Sequence, residues 1–459
     1  MSPIAARTAF YLQERLLGRN TFPILKELEE SQWWSDERLE NLRSERLRNI
    51  VHSAYQHSSY WRGLMDEHGI SPRNIQTAGD LKTFPFLEKQ TLRSRREDMV
   101  WKGAGKRIQL IRTSGSTNEA LQFYTNSDRE AHINAARIRG HRWMGMNIGE
   151  KEGYFWGAPV ELSKQDRIKK IRDFLINNML LSAMVITPET VPRYLEEWKK
   201  WKPKCLFGYP SSFVLVAQIA GQNSIDLTVL RKSGLKMICT TSEILGGENR
   251  KIIHTAFGVP VFDSYGVREG GLIGHECSHQ TMHCVDEQLI LETIDPETLL
   301  PTQGEGELVV SNLVGTVMPV IRYRTGDIVT LSREKCGCGR TLSSIKISGG
   351  RQVDSVVSRN GKWIIGYAFI YICRSVKGIV KFQVLQEHIG TVRVLLVTDR
   401  DFPDDGKEQV KKAVQARMKS DDEIIVETAD DIAPSPSGKY RPVISKVAEE
   451  LRAAGRIQI

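Results

Sequence analysis

A run of five residues, Thr113-Ser-Gly-Ser-Thr117, concentrates four hydroxyl side chains around one glycine. It lies between an apolar segment that ends at Ile111 and an alternating segment that resumes at Leu121. The glycine lets the backbone turn closely around a ligand, while successive N–H groups and hydroxyls offer hydrogen bonds to an anion. The pattern therefore predicts a hairpin whose loop wraps a polyanion. A plain surface turn has a similar composition, and the lack of a following Gly-Lys-Ser/Thr excludes a Walker A loop.

Four later segments carry further groups that suit nucleotide chemistry. In chain order they are Asp263-Ser-Tyr-Gly-Val-Arg-Glu269, Tyr323-Arg-Thr-Gly-Asp327, Gly350-Arg-Gln-Val-Asp354 and Pro436-Ser-Gly-Lys-Tyr-Arg441. Together with the hydroxyl-rich loop, they resemble in order and spacing the core motif series of the adenylate-forming superfamily, which comprises acyl-CoA synthetases, adenylation domains and luciferases. The resemblance covers nearly the whole chain. Five short motifs in one order are far more specific than any one of them.

Other segments narrow the resemblance. Residues 47–61 and 84–89 are similar to the phenylacetate–CoA ligase group. Within that group, Tyr265–Gly271 with Glu276-Cys277, Gly208–Ser212 and the segment Lys439–Ser445 are similar to the branch found with capsular and exopolysaccharide genes.

The resemblance implies a role for each of four charged residues. Lys439 corresponds to the lysine that bridges the carboxylate and the α-phosphate, where a mobile point charge stabilises the transition state. Glu269 corresponds to the acid that helps to hold Mg²⁺, a hard cation that prefers oxygen ligands. Asp327 corresponds to the carboxylate that accepts from both ribose hydroxyls, and Arg351 to the arginine that opens the hinge motif. Taken alone, Lys439 could be a solvated tail lysine, Glu269 a loop carboxylate paired with Arg268, and Asp327 a turn aspartate.

The remaining contacts with ATP and with the acid follow from the same resemblance. Thr117 is implied as a third catalytic residue beside Lys439 and Glu269. The expected ATP- and AMP-binding residues are Thr113, Ser114, Gly115, Ser116, Thr117, Ser242, Glu243, Asp263, Ser264, Tyr265, Gly266, Asp327 and Arg351. The acyl pocket is expected at Trp156, Gly157, Gly208, Tyr209 and Ser211. Tyr265 offers adenine a stacking face, although a core aromatic fits the sequence almost equally well. The aromatic pocket residues suit an aryl or compact apolar acid without identifying it.

The hinge segment departs from the commoner Gly-Arg-x-Asp-Asp pattern. Val353 occupies the position of the first aspartate, and only Asp354 remains. The pivot for domain rotation is therefore expected to differ, which puts a vigorous thioester-forming half-reaction in question.

A second group of residues suits a metal. Cys277 and His283 form one short pair, and Cys336 and Cys338 form another about fifty residues later. Two such pairs on separate loops suit a closed tetrahedral structural zinc site, with Cys284 and His279 as competing ligands. Some members of the phenylacetate–CoA ligase group carry this Cys, His, Cys, Cys pattern. Reduced cysteines in turns are the alternative.

Composition agrees with a soluble cytoplasmic enzyme. The chain has 459 residues, 40% of them hydrophobic, and a net charge of +9 that suits anionic ligands such as ATP and CoA. No segment approaches the roughly 18 apolar residues of a membrane span, and no signal segment opens the chain. Basic clusters at 167–172 and 199–204 could contact a membrane surface or nucleic acid, but solvated helix faces explain them better and no nucleic-acid motif accompanies them. The expected state is a monomer or a homodimer.

The pattern of elements predicts a multidomain α/β protein. We expect a large domain at residues 1–348, with a zinc-binding β-rich part at about 272–345, and a small α+β domain at 349–459 that carries Lys439. Helices are predicted at 35–56, 247–257 and 405–419, and strands at 234–241, 259–262 and 423–427. The segment 285–350 is predicted to be mostly β, including 306–310 and 318–323. A hairpin is predicted around Gly390, between alternating residues at 380–384 and 392–396.

The sequence thus predicts an AMP-forming ligase that uses ATP and Mg²⁺. A carboxylic acid is converted to an acyl-adenylate with release of pyrophosphate, and by family analogy CoA then accepts the acyl group. Two alternatives remain open at this point. The enzyme could stop at the adenylate or pass the acyl group to an amine, or the chain could be an inactive scaffold in polysaccharide assembly.

Overall fold

The computed structural model describes residues 1–105, 108–112, 122–156, 164–183, 186, 188–296, 298–349, 356–361, 363–364, 369, 372–373, 375–433 and 441–453. Two compact units emerge from its internal contacts. The first comprises Met1–Glu292, Val309–Thr325 and Leu331–Lys346, and the second comprises Thr293–Leu308, Gly326–Thr330 and Ile347–Ile459. Among the described residues, no helix has both the length and the apolar character needed to cross a membrane.

Helices dominate the N-terminal third of the first unit and then alternate with strands. They are α1 (Pro3–Leu16), α2 (Thr21–Ser31), α3 (Asp36–His57), α4 (Ser59–Glu67), α5 (Lys89–Ser94), α6 (Arg96–Met99), α7 (Ser127–Trp143), α8 (Lys164–Leu175), α9 (Thr190–Trp201), α10 (Pro210–Gln222), α11 (Val229–Lys232) and α12 (Gly247–Phe257), with 3₁₀ turns at Pro72–Asn74 and Ala78–Thr83.

The start of α3 follows the local chemistry of its sequence. The Ser35 side chain accepts a hydrogen bond from the backbone N–H of Arg38, and Asp36 and Glu37 lie in the first turn, where carboxylates complement the helix dipole. The apolar stripe is buried at Leu39, Leu47, Ile50, Val51 and Ala54, which anchors the helix in the core. Both predicted boundaries of this helix are confirmed within one residue.

The strands are numbered in chain order, beginning with β1 (Gln109–Arg112). The next strands are β2 (Gln122–Thr125), β3 (Glu152–Trp156), β4 (Asn178–Ser182), β5 (Cys205–Gly208), β6 (Met237–Thr241), β7 (Val261–Val267), β8 (Gly271–Glu276), β9 (Met282–Cys284), β10 (Leu289–Ile294) and β11 (Glu305–Asn312). β12 (Tyr323–Ser332) and β13 (Ser344–Gly349) follow. β1 and β2 pair antiparallel, so the predicted hairpin stem is confirmed. The loop at its tip lies outside the described residues.

Eleven of the described strands form one mixed sheet, in the order β10-β11-β12-β13-β9-β8-β7-β6-β5-β3-β4. β4, β3, β5, β6 and β7 are parallel, and β7, β8, β9 and β13 are antiparallel. Because the carboxyl ends of parallel strands meet at one edge, Trp156 at the end of β3 and the residues that follow β5 and β6 lie along the same side of the sheet.

The second unit contains a separate four-stranded sheet in the order β18-β17-β16-β19. Its elements are β14 (Val356–Val357), β15 (Trp363–Ile364), β16 (Ile379–Gln386), β17 (Thr391–Thr398), α13 (Gly406–Met418), β18 (Glu423–Thr428), β19 (Val443–Ser445) and α14 (Lys446–Ala453). β16 and β17 form the predicted hairpin, in which Gly390 has a φ of +89° that favours glycine. Val410, Val414 and Met418 of α13 are buried in the core of this unit.

Three boundaries differ from the prediction. The strand expected at 259–262 is β7, which starts at Val261 and continues to Val267, because β8 pairs with its second half. The strand expected from residue 234 starts at Met237. The apolar segment 318–322 is not a strand, since Arg322 has a φ of +50° and β12 begins at Tyr323. Met318, Val320 and Ile321 are nevertheless buried in the core.

A fully buried ion pair fixes α7 in the first unit. Arg139 donates to both carboxylate oxygens of Glu287, at 2.5 and 3.3 Å, and to the carbonyl oxygen of Leu28 at 3.0 Å. The side chains of Arg139 and Glu287 are 1% and 0% exposed. Because removing one partner leaves the other charge buried and unpaired, we expect Glu287→Gln to lower the free energy of unfolding by roughly 3–5 kcal/mol.

Urea denaturation followed by tryptophan fluorescence measures this effect. The matched control is Glu196→Gln, which removes an exposed pair with Lys199 and should change the free energy of unfolding by less than about 1 kcal/mol. Equal effects of the two substitutions would contradict the proposed importance of the buried pair.

Candidate functional site

Three expected site segments lie at the carboxyl edge of the parallel strands. Trp156 ends β3, Gly208 ends β5 with Tyr209 immediately after it, and Ser242-Glu243 follows β6. The Trp156 and Tyr209 rings are 4.4 Å apart between centroids, and Trp156 stacks on Phe207 at 6.0 Å. The fold therefore brings together residues that the sequence separates widely, and it lines this edge with aromatic surface.

Gly208 has a packing role that its sequence position did not reveal. A Cβ atom there would lie 2.3 Å from the carbonyl oxygen of Phe155 on the neighbouring strand. Glycine is therefore required for β3 and β5 to pair at the point where the chain turns into α10. The backbone of Ser211 belongs to α10, while its side chain and the whole of Gly157 lie outside the described part of the chain.

Ser242 and Glu243 form a tight corner after β6. Ser242 has a φ of +69°, a left-handed conformation that is uncommon for residues other than glycine and often occurs at functional sites. Burial raises the pKa of the Tyr209 hydroxyl to about 12, with a further contribution from the Glu243 carboxylate that the Arg268 guanidinium opposes. Tyr209, Glu243 and Arg268 therefore form one electrostatic group beside the strand ends.

Asp263 is held by a buried hydrogen-bond network. Its carboxylate accepts from the Thr240 hydroxyl at 2.7 Å, and its backbone N–H donates to Glu276 at 2.8 Å. Glu276 also accepts from Arg250 at 2.6 and 3.0 Å. Burial raises the pKa of Asp263 to about 7. Ser264, the next residue, donates from its hydroxyl to the Thr240 carbonyl oxygen at 3.0 Å, so this segment is rigidly placed beside β6.

Tyr265 and Gly266 lie near the end of β7. Tyr265 is 9% exposed and Gly266 is exposed, where the pairing with β8 shifts register. A Cβ on Gly266 would lie 2.9 Å from the Gly271 carbonyl oxygen, so only glycine fits this irregular pairing. The buried position of Tyr265 is compatible with both of the interpretations that the sequence left open.

Glu269 lies in the turn between β7 and β8 and is 8% exposed. Arg129, a buried residue near the start of α7, donates to the carbonyl oxygens of Arg268 and Glu269, each at 2.7 Å. Sequence reasoning did not find Arg129, because its contacts are to backbone atoms far along the chain. This guanidinium fixes the turn and places positive charge beside the Glu269 backbone.

Asp327 belongs to the second unit and is buried, at 8% exposure. It lies inside β12 rather than in a hairpin turn, so the alternative of a turn aspartate is wrong. Gly326 has a φ of +74°, and its N–H donates to Glu307 at 3.2 Å.

Several expected site residues lie outside the described residues. They are Thr113, Ser114, Gly115, Ser116, Thr117, Gly157, Arg351 and Lys439, together with Val353 and Asp354 of the hinge segment.

The four expected metal ligands converge in the first unit. One ligand atom each from Cys277, His283, Cys336 and Cys338 lie within 4.8 Å of one another. The Sγ atoms of Cys277 and Cys336 are 3.7 Å apart, and His283 Nε2 is 3.2 Å from Cys338 Sγ. His283 Nδ1 lies 3.2 Å from the Leu342 carbonyl oxygen, which orients the ring.

The competing ligands named from the sequence do not join this group. Cys284 follows His283 on β9, and successive side chains on a strand point to opposite faces. Cys284 is fully buried, and burial raises the pKa of its thiol. His279 is exposed.

Comparison with known proteins adds three findings. The CapK C-terminal domain family matches residues 356–446. The phenylacetate-coenzyme A ligase of Thermus thermophilus is 25% identical over 323 residues, which cover 66% of this chain and 68% of that protein. Protein CapK of Staphylococcus aureus is 23% identical over 416 residues, which cover 89% of each chain.

Among solved structures, 2-hydroxyisobutyryl-CoA ligase in its postadenylation state, in complex with R3-HIB-AMP, has a similar fold. Its TM-score is 0.68 at 18% identity, and the match covers 92% of this chain and 93% of that one. This likeness confirms the predicted α/β fold, with a large N-terminal domain and a small α+β C-terminal domain.

The raised pKa of Asp263 gives a pH-dependent prediction. Between pH 4 and pH 7 the folded protein keeps a proton on Asp263 that the unfolded chain has released, so this group makes stability fall as pH rises. Asp263→Asn removes this contribution. Over that window, we expect the free energy of unfolding of the variant to rise relative to that of the wild type by up to about 1.4 kcal/mol for each unit of increasing pH.

Urea unfolding of both proteins at several pH values checks the slope. Asp226→Asn serves as the control, because hydrogen bonds from Thr228 lower the pKa of this exposed aspartate and place its titration below the window. A difference between Asp263→Asn and the wild type that is constant from pH 4 to pH 7 would argue against a protonated Asp263.

Proposed function

The chain belongs to the adenylate-forming ligase superfamily, in the phenylacetate–CoA ligase and CapK-like group, and from this premise we propose its reaction and its site residues. It is an AMP-forming acid–CoA ligase family member. We propose that it activates a carboxylic acid with ATP, releases pyrophosphate, and transfers the acyl group to CoA. Its product would serve polysaccharide or secondary-metabolite biosynthesis.

The observation that carries the proposal is the convergence at the carboxyl edge of the parallel strands. The crevice outside this edge is where open α/β sheets bind ligands. Here the corner at Ser242-Glu243 lies next to the rigid Asp263–Tyr265 segment, because β6 and β7 are paired with Thr241 opposite Ser264. Adenine would lie between these segments, and Asp263 would face its exocyclic amine. A pKa near 7 leaves Asp263 able to accept a hydrogen bond above neutral pH.

The acid would bind beside the nucleotide, against Trp156 and Tyr209. Trp156 ends β3, and Tyr209 follows β5, the strand that lies between β3 and β6. The two rings are in contact, and Tyr209 lies in the same electrostatic group as Glu243. An aromatic wall suits an aryl or compact apolar acid. Gly157, Gly208 and Ser211 would complete the pocket.

The residues present fit a hard cation and an anionic nucleotide. Glu269 would hold Mg²⁺ together with the phosphates, and the ion would neutralise charge on the leaving pyrophosphate. Thr113–Thr117 would cradle the phosphates with backbone N–H groups and hydroxyls. Asp327 would accept from the ribose hydroxyls. Lys439 would bridge the carboxylate and the α-phosphate, where charge accumulates as the new bond forms.

Transfer to CoA requires the small domain to move. We place the boundary between the two domains at residue 348, with the small domain at 349–459 carrying Lys439. Arg351 and Asp354 would lie at the hinge, and Val353 would alter its pivot. A slow second half-reaction is the expected consequence.

A screen for pyrophosphate release over aryl, fatty, amino and hydroxy acids, with and without CoA, tests the function. We expect Lys439→Ala to reduce adenylation at least ~10²-fold, the scale for removing one preorganised transition-state donor, with little change in ATP binding. Lys446→Ala is the control, since Lys446 pairs with Glu387 on the same small unit and has no proposed catalytic role.

Each part of the proposal can be contradicted by a specific outcome. Wild-type pyrophosphate release by Lys439→Ala would refute its assignment. Turnover that responds to an amine and not to CoA would replace thioester formation with amide formation. If no acid releases pyrophosphate and ATP does not bind, the ligase proposal fails and the result favours the alternative of an inactive scaffold.

We also propose that Cys277, His283, Cys336 and Cys338 hold a structural zinc ion. An ion about 2.3 Å from sulfur and about 2.0 Å from nitrogen places two tetrahedral sulfur ligands about 3.8 Å apart and a sulfur and a nitrogen ligand about 3.5 Å apart. The spacings of 3.7 and 3.2 Å between the ligand atoms are close to this requirement. Four protein ligands leave no open position, so the ion would cross-link two loops without taking part in the reaction.

Cys336→Ser should lower the zinc content by about one ion per chain and reduce the melting temperature, because the binding energy of a structural zinc is also folding energy. Elemental analysis and thermal unfolding measure the two effects. Cys284→Ser, at the adjacent thiol outside the group, should retain the metal. Unchanged stability of the wild type in chelator, with no zinc in the purified protein, would leave these residues as ordinary reduced cysteines and a histidine.

A further inference from the structure

A second set of potential metal ligands lies in the interior of the first unit. His141 near the end of α7, Cys239 on β6 and His275 on β8 are each at most 5% exposed. One ligand atom from each residue lies within 4.8 Å of the others, and His275 Nε2 is 3.7 Å from Cys239 Sγ. The proposed chemistry of the ligase uses none of these three side chains.

The two imidazoles are oriented as in a built site. His275 Nδ1 is 3.2 Å from the Glu276 carbonyl oxygen, and His141 Nδ1 is 3.6 Å from a carboxylate oxygen of Glu152. Carbonyl and carboxylate groups beside one ring nitrogen are the usual means of directing the other nitrogen to a metal. The Nε2 atom of His141 is buried and finds no hydrogen-bond partner among the described residues.

Helix α7 is shaped to admit the second imidazole. A Cβ atom on Gly140 would lie 2.4–2.9 Å from the ring and Cβ of His275. Any side chain at this position would therefore displace His275 from the group. Gly140 lies in the interior of α7, where glycine costs helix stability relative to alanine, so packing against His275 is the local reason for it.

We propose that His141, Cys239 and His275 form a second metal site, for a soft closed-shell ion such as Cu⁺ or Zn²⁺. Imidazole and thiolate ligands select such ions, and Met146 and Met237 place two thioethers in the same buried cluster as Cys239. Binding releases the Cys239 thiol proton and forms a metal–sulfur bond. The three protein ligands suit three-coordinate Cu⁺, whereas Zn²⁺ would need a fourth ligand.

Charge balance favours the monovalent ion. Cu⁺ with one thiolate and two neutral imidazoles has no net charge, whereas Zn²⁺ with the same ligands leaves one positive charge in a buried space. Glu152 does not offset that charge, because it already accepts two hydrogen bonds from Arg137 at 3.1 Å. A cavity of about 60 Å³, which is large enough to hold water, lies against His141, Met146 and Glu152.

The test uses the full-length chain, stripped of metal and then titrated separately with Cu⁺ against bicinchoninate under reducing conditions and with Zn²⁺ against a fluorescent chelator. We expect Cys239→Ser to bind one ion per chain fewer than the wild type in at least one arm. Cys205→Ser is the matched control and should bind as the wild type does, because Cys205 is an equally buried thiol of the same cluster outside the ligand group.

The Cu⁺ and Zn²⁺ titrations show which ion binds, and the loss of one bound ion in either titration of Cys239→Ser supports the site. If wild type and Cys239→Ser bind the same number of ions in both arms, the proposal is refuted. Should Cys239→Ser fail to fold by circular dichroism, His141→Gln decides instead, since it removes the imidazole nitrogen and leaves the sulfur in place. Wild-type stoichiometry in a folded His141→Gln would equally overturn the proposal.

Discussion

The buried pair between Arg139 and Glu287 is the constraint on which the large unit depends. It joins α7 to the segment before β10, and Ser31 and Leu28 of α2 add further hydrogen bonds. These bonds hold the two buried charges in one geometry, although the Arg139 Nε atom finds no partner among the described residues, and the pair thereby fixes the position of α7. Everything that α7 presents to the sheet then has a defined place.

Helix α7 contacts several parts of the proposed sites along its length. Near its start, Arg129 holds the backbone of the turn that carries Glu269. Near its end, Trp143 packs edge-to-face against His275 at 6.3 Å and against His283 at 5.8 Å. One ring thus contacts a ligand of the proposed zinc site and a ligand of the proposed second metal site. A disturbance of α7 would therefore reach the turn at Glu269 and both groups of proposed metal ligands.

The parallel strands supply the other fixed reference of the large unit. Five strands ending at one edge place Trp156, Tyr209 and the corner at Ser242 side by side, although each belongs to a different βα connection. This arrangement imposes local backbone constraints: Ser242 is in the left-handed conformation, and Gly208 has no room for a side chain. Such strain persists where the surrounding structure over-determines the backbone, as the paired strands do here.

Local patterns in the sequence were sufficient for elements that depend on local forces. The cap and stripe of α3, the limits of α12 and the hairpin around Gly390 could all be predicted, because capping, periodicity and turn chemistry act over a few residues. The motif series likewise indicated the similarity to phenylacetate-coenzyme A ligases and CapK, and the Cys/His pairs indicated a group of side chains that the fold brings together. Only the tertiary structure decided that 318–322 is buried without being a strand, that Asp327 lies inside β12, and that Arg129 supports the turn at Glu269. The group of His141, Cys239 and His275 was invisible for the same reason: each residue follows its own element's pattern, and only the pairing of strands and the docking of α7 place the three together.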